Sequence, residues 1–276
     1  MDIEPMATSE LEAAITAANS AGWGDQRPIF SFYAQHPHCS PFVAKVDGTV
    51  VGTAVAIQRG PVGWVGHVIV SPDYQRQGIG AALTRAASQY LLAQQCQSVL
   101  LIATEAGYPV YEKLGFQVET FYQFMKGQSV TTFPSAVRLH ALQESDLPAI
   151  CKLDREVTGE DRSPQLLAFA QGGVVLVGEQ TQKLRGFFLP TPWGEGPGIA
   201  LAPEDGCVLL EIRRAIAGAG DATEMMCAIP VENLAGQAYL KRQGFTDVRR
   251  GARMFLGKTV IWQPQAVWSR FSGAMG

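Results

Sequence analysis

Gln75-x-x-Gly78-x-Gly80 stands between a β-rich run, GWVGHVIV (63–70), and a helical run, AALTRAASQYLLAQQ (81–95). A helix N-terminus presents unpaired N–H groups and a partial positive charge. Glycines there let a phosphate approach the backbone. The motif therefore reads as a pyrophosphate cradle, to which Arg76 can add a charge-assisted contact. The alternative is that Gly78 and Gly80 serve only a tight turn. No Gly-Lys-Ser/Thr stands at this junction, which removes a Walker-type site with its magnesium ligand there. The spacing also differs from the GxGxxG of dinucleotide folds.

The elements that must position this motif are legible around it. FVAKVDGTVVGTAVAIQ (42–58) is two β-rich runs about Asp47-Gly48, a hairpin signal. The run 63–70 is a third strand. From Gly80 to Gln94, Leu83, Ala87, Tyr90 and Leu91 share one helical face. SVLLIA (98–103) is a short buried strand, YPVYEKLGF (108–116) a short helix closed by Gly115, and FQVETFYQFMKG the strand that follows. The first half thus reads helix, three strands, helix, strand, helix, strand. GQSVTTFPSA (127–136) reads as a linker, after which the order restarts. VRLHALQESDLPAI (137–150) echoes residues 3–15, and LKRQGFTDV (240–248) echoes YEKLGFQVE (111–119). Two echoes at one spacing argue for a tandem repeat of a mixed α/β fold. The expected division is residues 1–126, a linker at 127–136, and 137–276.

Hydrophobic residues make up 47% and charged residues 17% of the 276, enough for a packed core. A net charge of −3 gives no support for nucleic-acid binding. The five cysteines are odd in number and form no CxxC pair, which speaks against a zinc site or disulfide framework and for a reducing compartment. His36 and His38 resemble a metal pair only in spacing and read as a plain polar loop, with part of the acceptor site as the alternative. The acidic N-terminus does not read as a signal peptide, and no apolar run approaches the roughly 20 residues of a membrane span. The expectation is a cytoplasmic protein with no membrane and no metal.

The order of elements and the motif together resemble the GNAT superfamily of acyl-CoA-dependent N-acyltransferases. The family's Q/R-x-x-G-x-G/A is present as Gln75 to Gly80, and its Y-x-K-L-G-F as Tyr111 to Phe116. The likeness covers about 3–126, and more weakly 137–258, in the manner of bacterial tandem members with a degenerate second domain. It implies an α/β fold of two tandem domains. Each would be a mostly antiparallel twisted sheet with a splayed central strand pair, flanked by helices. It also implies acetyl-CoA as cofactor. Backbone groups of Val68, Ile69 and Val70 would pair with the pantetheine arm. Arg76, Gln77, Gly78, Ile79, Gly80 and Ala81 would surround the pyrophosphate. Thr104 stands where the family often has an asparagine.

Acyl transfer to an amine needs a neutral amine, although a free alkyl amine has a pKa of roughly 10. It also needs a stabilised oxyanion and a proton for the leaving thiolate. Tyr111 is the candidate acid, with a core tyrosine as the alternative. His67, directly before the cofactor segment, titrates near neutrality as a free side chain and is the candidate base. Strand alternation leaves open which face it takes. Glu105 reads as a solvated loop acid.

The second half departs from the first at its chemistry. Five residues before each Gly-Phe phenylalanine stand Tyr111 and Leu240, and no Q-x-x-G-x-G occurs in IALAPEDGCVLL (199–210). Glu204 and Asp205 there would repel pyrophosphate. The second domain is expected to have lost the cofactor and to wall the acceptor cleft. Asp154, Glu156, Asp161 and Arg162 are candidates for gripping an acceptor, or a charged helix start. Trp23 is a cleft residue or a core tryptophan. The leading function is transfer of acetyl to a small amine or amino acid. A non-catalytic coenzyme A sensor and a protein or peptide N-acetyltransferase are the alternatives.

Overall fold

The computed structural model describes residues 1–134, 139–178 and 183–276. The chain forms two units. The first comprises Met1–Glu119, Arg253–Thr259 and Gly273–Gly276, and the second Thr120–Ala252 and Val260–Ser272. The units therefore do not follow the chain in two consecutive blocks. The division falls at Glu119/Thr120, not at 126, and the end of the chain returns to the first unit. Residues 135 and 136 of the expected linker lie outside the described residues.

The first unit opens with β1 (Asp2–Pro5), α1 (Leu11–Ser20) and α2 (Arg27–Gln35). Then come β2 (Cys39–Val46), β3 (Thr49–Arg59), β4 (Val62–Val70), α3 (Ile79–Ala93), β5 (Ser98–Ala103), α4 (Tyr108–Lys113) and the start of β6 (Gln117–Gln128). Its strands run in the order β1-β2-β3-β4-β5. The hairpin of β2 and β3 turns on Asp47 and Gly48, at φ 49° and 79°, the left-handed pair that a two-residue turn requires. Helix α3 buries Ile79, Leu83, Ala87 and Leu91. Tyr90, expected on that face, is half-exposed and accepts a hydrogen bond from Ser40 Oγ (2.8 Å). The sequence pattern predicts one helix before the hairpin. The second, α2, starts with Pro28 in its first turn and buries Ile29, Phe30 and Tyr33.

Two departures from regular pairing shape β4. Thr53 pairs with Ile69 and Val55 with Gly66, so Ala54 alone faces His67 and Val68. This is a β-bulge, and His67 sits in it at φ 45°. On its other edge β4 pairs in parallel with β5 from Val62↔Ser98 to Trp64↔Leu100. Beyond that, β4 runs on to Val70 and β5 to Ala103 without a further registered pair. The central strands are splayed.

The second unit contains β7 (Leu139–Ala141), α5 (Leu147–Thr158), α6 (Ser163–Ala168), β8 (Val174–Val177), β9 (Leu184–Phe188) and β10 (Gly198–Ala200). It continues with α7 (Pro203–Ala219), β11 (Glu224–Pro230), α8 (Leu234–Arg242), the first part of β12 (Thr246–Gly257), and β13 (Val267–Ser269). One sheet has the order β13-β10-β9-β8-β7, and β11 pairs antiparallel with β6 from Tyr122 to Gln128. Leu176, Phe188, Leu209, Ile229, Leu240, Phe245 and Trp268 form its core.

Local geometry repeats where the sequence does. Ala7 N–H bonds the Glu10 carboxylate and Gln143 N–H the Asp146 carboxylate, each at 2.8 Å, just before α1 and α5. Phe116 N–H bonds Tyr111 O and Phe245 N–H bonds Leu240 O, each at 3.0 Å, closing α4 and α8.

Candidate active site

Where β4 and β5 part, the first unit holds a cleft of about 350 Å³. Val68, Ile69 and Val70 line it from β4, and Gln75, Arg76, Gly78, Ile79, Gly80 and Ala81 from the strand-to-helix junction. Thr104, Gly107, Val110 and Tyr111 close one side, and Ala21 and Trp23 another. Of the cofactor residues expected from sequence, only Gln77 is not among the lining. It is exposed, and its amide donates to Asp73 O (3.2 Å).

The backbone at the junction leaves donor groups open. Arg76 and Gly78 both take the left-handed conformation, at φ 61° and 83°. Gly78 is the N-cap of α3, and no side chain caps it, so the first-turn N–H groups are left open. The two glycines differ in what they permit. Gly78 is demanded by its φ. A Cβ on Gly80 would meet only Val68 Cγ1 and Val70 Cγ2, at 3.8 and 3.9 Å. The protein's own packing does not require glycine there, and the space it leaves opens into the cleft. The Arg76 guanidinium makes no hydrogen bond or ion pair with the described residues. The β4 edge offers peptide groups that need partners.

Tyr111 is 9% exposed and lines the cleft. Its ring lies over Gly107, where a Cβ would come within 2.7 Å of Tyr111 Cε2. Gly107 thus makes room for the ring one helical turn on. Its signal in the sequence is a small residue at i−4 from the tyrosine. Burial pushes the phenol up to about 12, so it stays protonated through neutrality. Thr104 Oγ1 accepts from Gly107 N (3.2 Å), ordering the turn into α4.

His67 requires a correction. The bulge turns it away from the cleft lining, into a buried pocket with Tyr33 and Phe30. Tyr33 Oη bonds its Nδ1 and Gln26 Oε1 its Nε2, each at 2.9 Å. Gln26 Nε2 donates to Trp23 O (2.6 Å), so Oε1 must accept and His67 carries its proton on Nε2. Burial pulls the imidazole down to about 3. With both nitrogens engaged and the ring held neutral, His67 is not a base for the amine. Gln26 and Tyr33 escaped the sequence reading, because α2 did.

Arg162 also requires a correction. It lies buried in the second unit in a two-pronged pair with Asp154, Nε–Oδ2 2.9 Å and Nη2–Oδ1 2.5 Å, and is spent on local structure. Asp161, in the same unit, is part-exposed; it accepts from Ser163 Oγ (2.7 Å) at the start of α6 and pairs with Arg155 (2.8 Å).

Residues 8–116 match the Acetyltransferase (GNAT) family. That stretch, within the first unit, is what this chain shares with GNAT acetyltransferases. An uncharacterized N-acetyltransferase of Bacillus subtilis, YitH, is 26% identical over 237 residues, 84% of this chain and 83% of its own. A solved structure from Pyrococcus horikoshii is 21% identical and shares the fold at a TM-score of 0.80, covering 100% of this chain and 95% of that one. A tandem GNAT protein from the clavulanic acid biosynthesis pathway, 13% identical, shares it at 0.63 over 93% of this chain and 98% of that one. GNAT proteins generally bind acetyl-CoA, and the splayed strands and open helix start described above are the features available here to do so. No helix among the described residues is long and apolar enough to cross a membrane.

Proposed function

We propose that the first unit moves an acetyl group from acetyl-CoA to the amine of a small-molecule acceptor, by direct attack while both are bound. The observation that carries this is the cleft itself, a strand edge without ladder partners beside an uncapped helix start where Gly80 leaves room. The residues fit the parts of coenzyme A. Backbone N–H groups from Gly78 to Ala81 would hold the pyrophosphate, with Arg76 beside them. The β4 edge from Val68 to Val70 would bond the amides of the pantetheine arm. When bound, acetyl-CoA supplies the acetyl group as a thioester that a neutral amine can attack. Tyr111 would donate its phenolic hydrogen to the sulfur as negative charge builds there. Ala21 and Trp23 would face the acceptor at the other end. With His67 neutral and fully bonded, the amine would lose its proton to solvent.

The second unit reads as a copy without a cofactor slot. Strand β13 pairs with β10 and packs against β11. Trp268 covers Gly206 in the first turn of α7, donates to Ala200 O (3.0 Å) and is 1% exposed. Asn233 Nδ2 bonds Val267 O (2.9 Å), so a peptide of this chain takes the hydrogen bond a pantetheine would want. Leu240 stands in place of Tyr111.

Thiol release from acetyl-CoA, measured over small amines, amino acids and peptides, tests the reading. Release with small amines, lost in Gly80→Asp, is the expected result. Release with peptides alone would overturn the acceptor class. Coenzyme A binding without release from any amine would leave a binding protein in place of an enzyme.

A further inference from the structure

The turn between α1 and α2 is tied to the cofactor strand by buried side chains outside the cleft. Gln26 (9% exposed) receives a hydrogen bond from His67 Nε2 (2.9 Å) and gives one to Trp23 O (2.6 Å). Its backbone N–H bonds Asn19 Oδ1 (3.1 Å), which anchors it to the end of α1. His67 is held in turn by Tyr33 Oη at Nδ1 (2.9 Å) and by Thr53 Oγ1, which donates to His67 O (3.0 Å). Every amide and ring polar atom of Gln26 and His67 named here is matched donor to acceptor. A buried network so satisfied fixes one arrangement, because breaking any link strands a desolvated partner. Trp23, 45% exposed, hangs from this network by its own carbonyl, with its ring 6.2 Å from that of His67.

We propose that Gln26 is a positioning residue, tying Trp23 to the bulge of the cofactor strand through His67. The proposal rests on the reading that Trp23 faces the acceptor. On that reading, the bulge that re-aims β4 toward the thioester and the ring that meets the acceptor are held by one amide. Their separation is then set before either substrate arrives. Such prior placement is what converts two bound reactants into an effectively unimolecular pair. It also gives the buried, uncharged His67 a purpose that needs no proton transfer.

Fluorine NMR of the full chain carrying 5-fluorotryptophan tests this without turnover. The protein has five tryptophans, and the line lost in Trp23→Phe identifies the one of interest. Gln26→Met keeps the bulk and removes both bonds. The expected result is a Trp23 line that shifts and broadens while the other four hold, with the dissociation constant of coenzyme A changed less than about threefold. Should the Met variant not fold, Gln26→Glu keeps an acceptor for His67 and removes only the donor to Trp23 O. The Trp23 line must still move. A Trp23 line unchanged in a folded variant would overturn the proposal, and so would a shift spread over all five lines, which would make Gln26 general packing. Adding coenzyme A to the wild type should also shift the Trp23 line. Failure there would count against the cofactor reading of the cleft and not against the tether.

Discussion

Replacing Tyr111 by phenylalanine removes one hydroxyl and little else. The ring keeps its place over Gly107 and its contact with Phe116, at 6.1 Å between centroids. The hydroxyl makes no hydrogen bond to the described residues, so the change strands no partner. Thermal stability should hold or rise slightly. The catalytic loss follows from the pKa. A phenol at about 12 facing a thiolate whose conjugate acid lies near 8.5 would transfer its proton uphill by roughly 3.5 units, about 5 kcal/mol. The useful act is therefore donation of a charge-assisted hydrogen bond, and complete transfer is not required. Such a bond is worth about 1.5–3 kcal/mol, or roughly 10- to 150-fold in kcat. Steady-state kinetics on Tyr111→Phe should show that fall in kcat, with the KM for acetyl-CoA nearly unchanged, since on the proposed reading backbone groups would hold the cofactor. A variant with full kcat and an unchanged melting temperature would remove the hydroxyl from the mechanism and refute the reasoning.

Three further outcomes follow from the same geometry. Gly80→Asp should stay folded, because its Cβ has room, yet lose coenzyme A, whereas Gly78→Ala should cost about 1 kcal/mol of stability at φ 83°. Circular dichroism and calorimetry on the same preparations separate the two effects. His67 has a folded-state pKa of about 3, below the unfolded value near 6.5, so the unfolded chain takes up the proton first and stability falls as pH drops below about 6.5. Between pH 6.5 and 5 the wild type should lose about 2 kcal/mol more than His67→Asn in denaturant titrations. Equal losses would mean the imidazole is not held neutral. Arg162→Ala should cost about 3–5 kcal/mol by stranding the buried carboxylate of Asp154, with the coenzyme A dissociation constant of the folded fraction unchanged. A specific loss of turnover with amine acceptors, without destabilisation, would return Arg162 to the acceptor site.

Much of the candidate cleft's lining was legible in the chain because backbone shapes it there. A glycine motif at a strand-to-helix junction specifies N–H geometry directly, and eight of the nine expected cofactor residues line the cleft. The repeat was legible for the same reason. Gly115 and Gly244, at φ 91° and 81°, close α4 and α8 alike. What stayed hidden depends on side-chain direction. Alternation along a strand predicts a face only where pairing is regular, and the bulge at His67 breaks it. Arg162 and Asp154, eight residues apart in sequence, gave no sign that they would bury each other. Helix α2 was missed because Pro28 reads as a breaker unless it is taken as a first-turn residue. The last strands of the two repeats, β6 and β12, each contribute residues to both units. No local pattern encodes that.

Isothermal calorimetry of acetyl-CoA on the whole chain tests the central claim most directly, by its stoichiometry. One site per chain, abolished by Gly80→Asp and untouched by Arg162→Lys in the folded protein, is the predicted result. Two equivalent sites per chain would contradict the closed slot behind Trp268, and full binding by Gly80→Asp would contradict the cradle at α3.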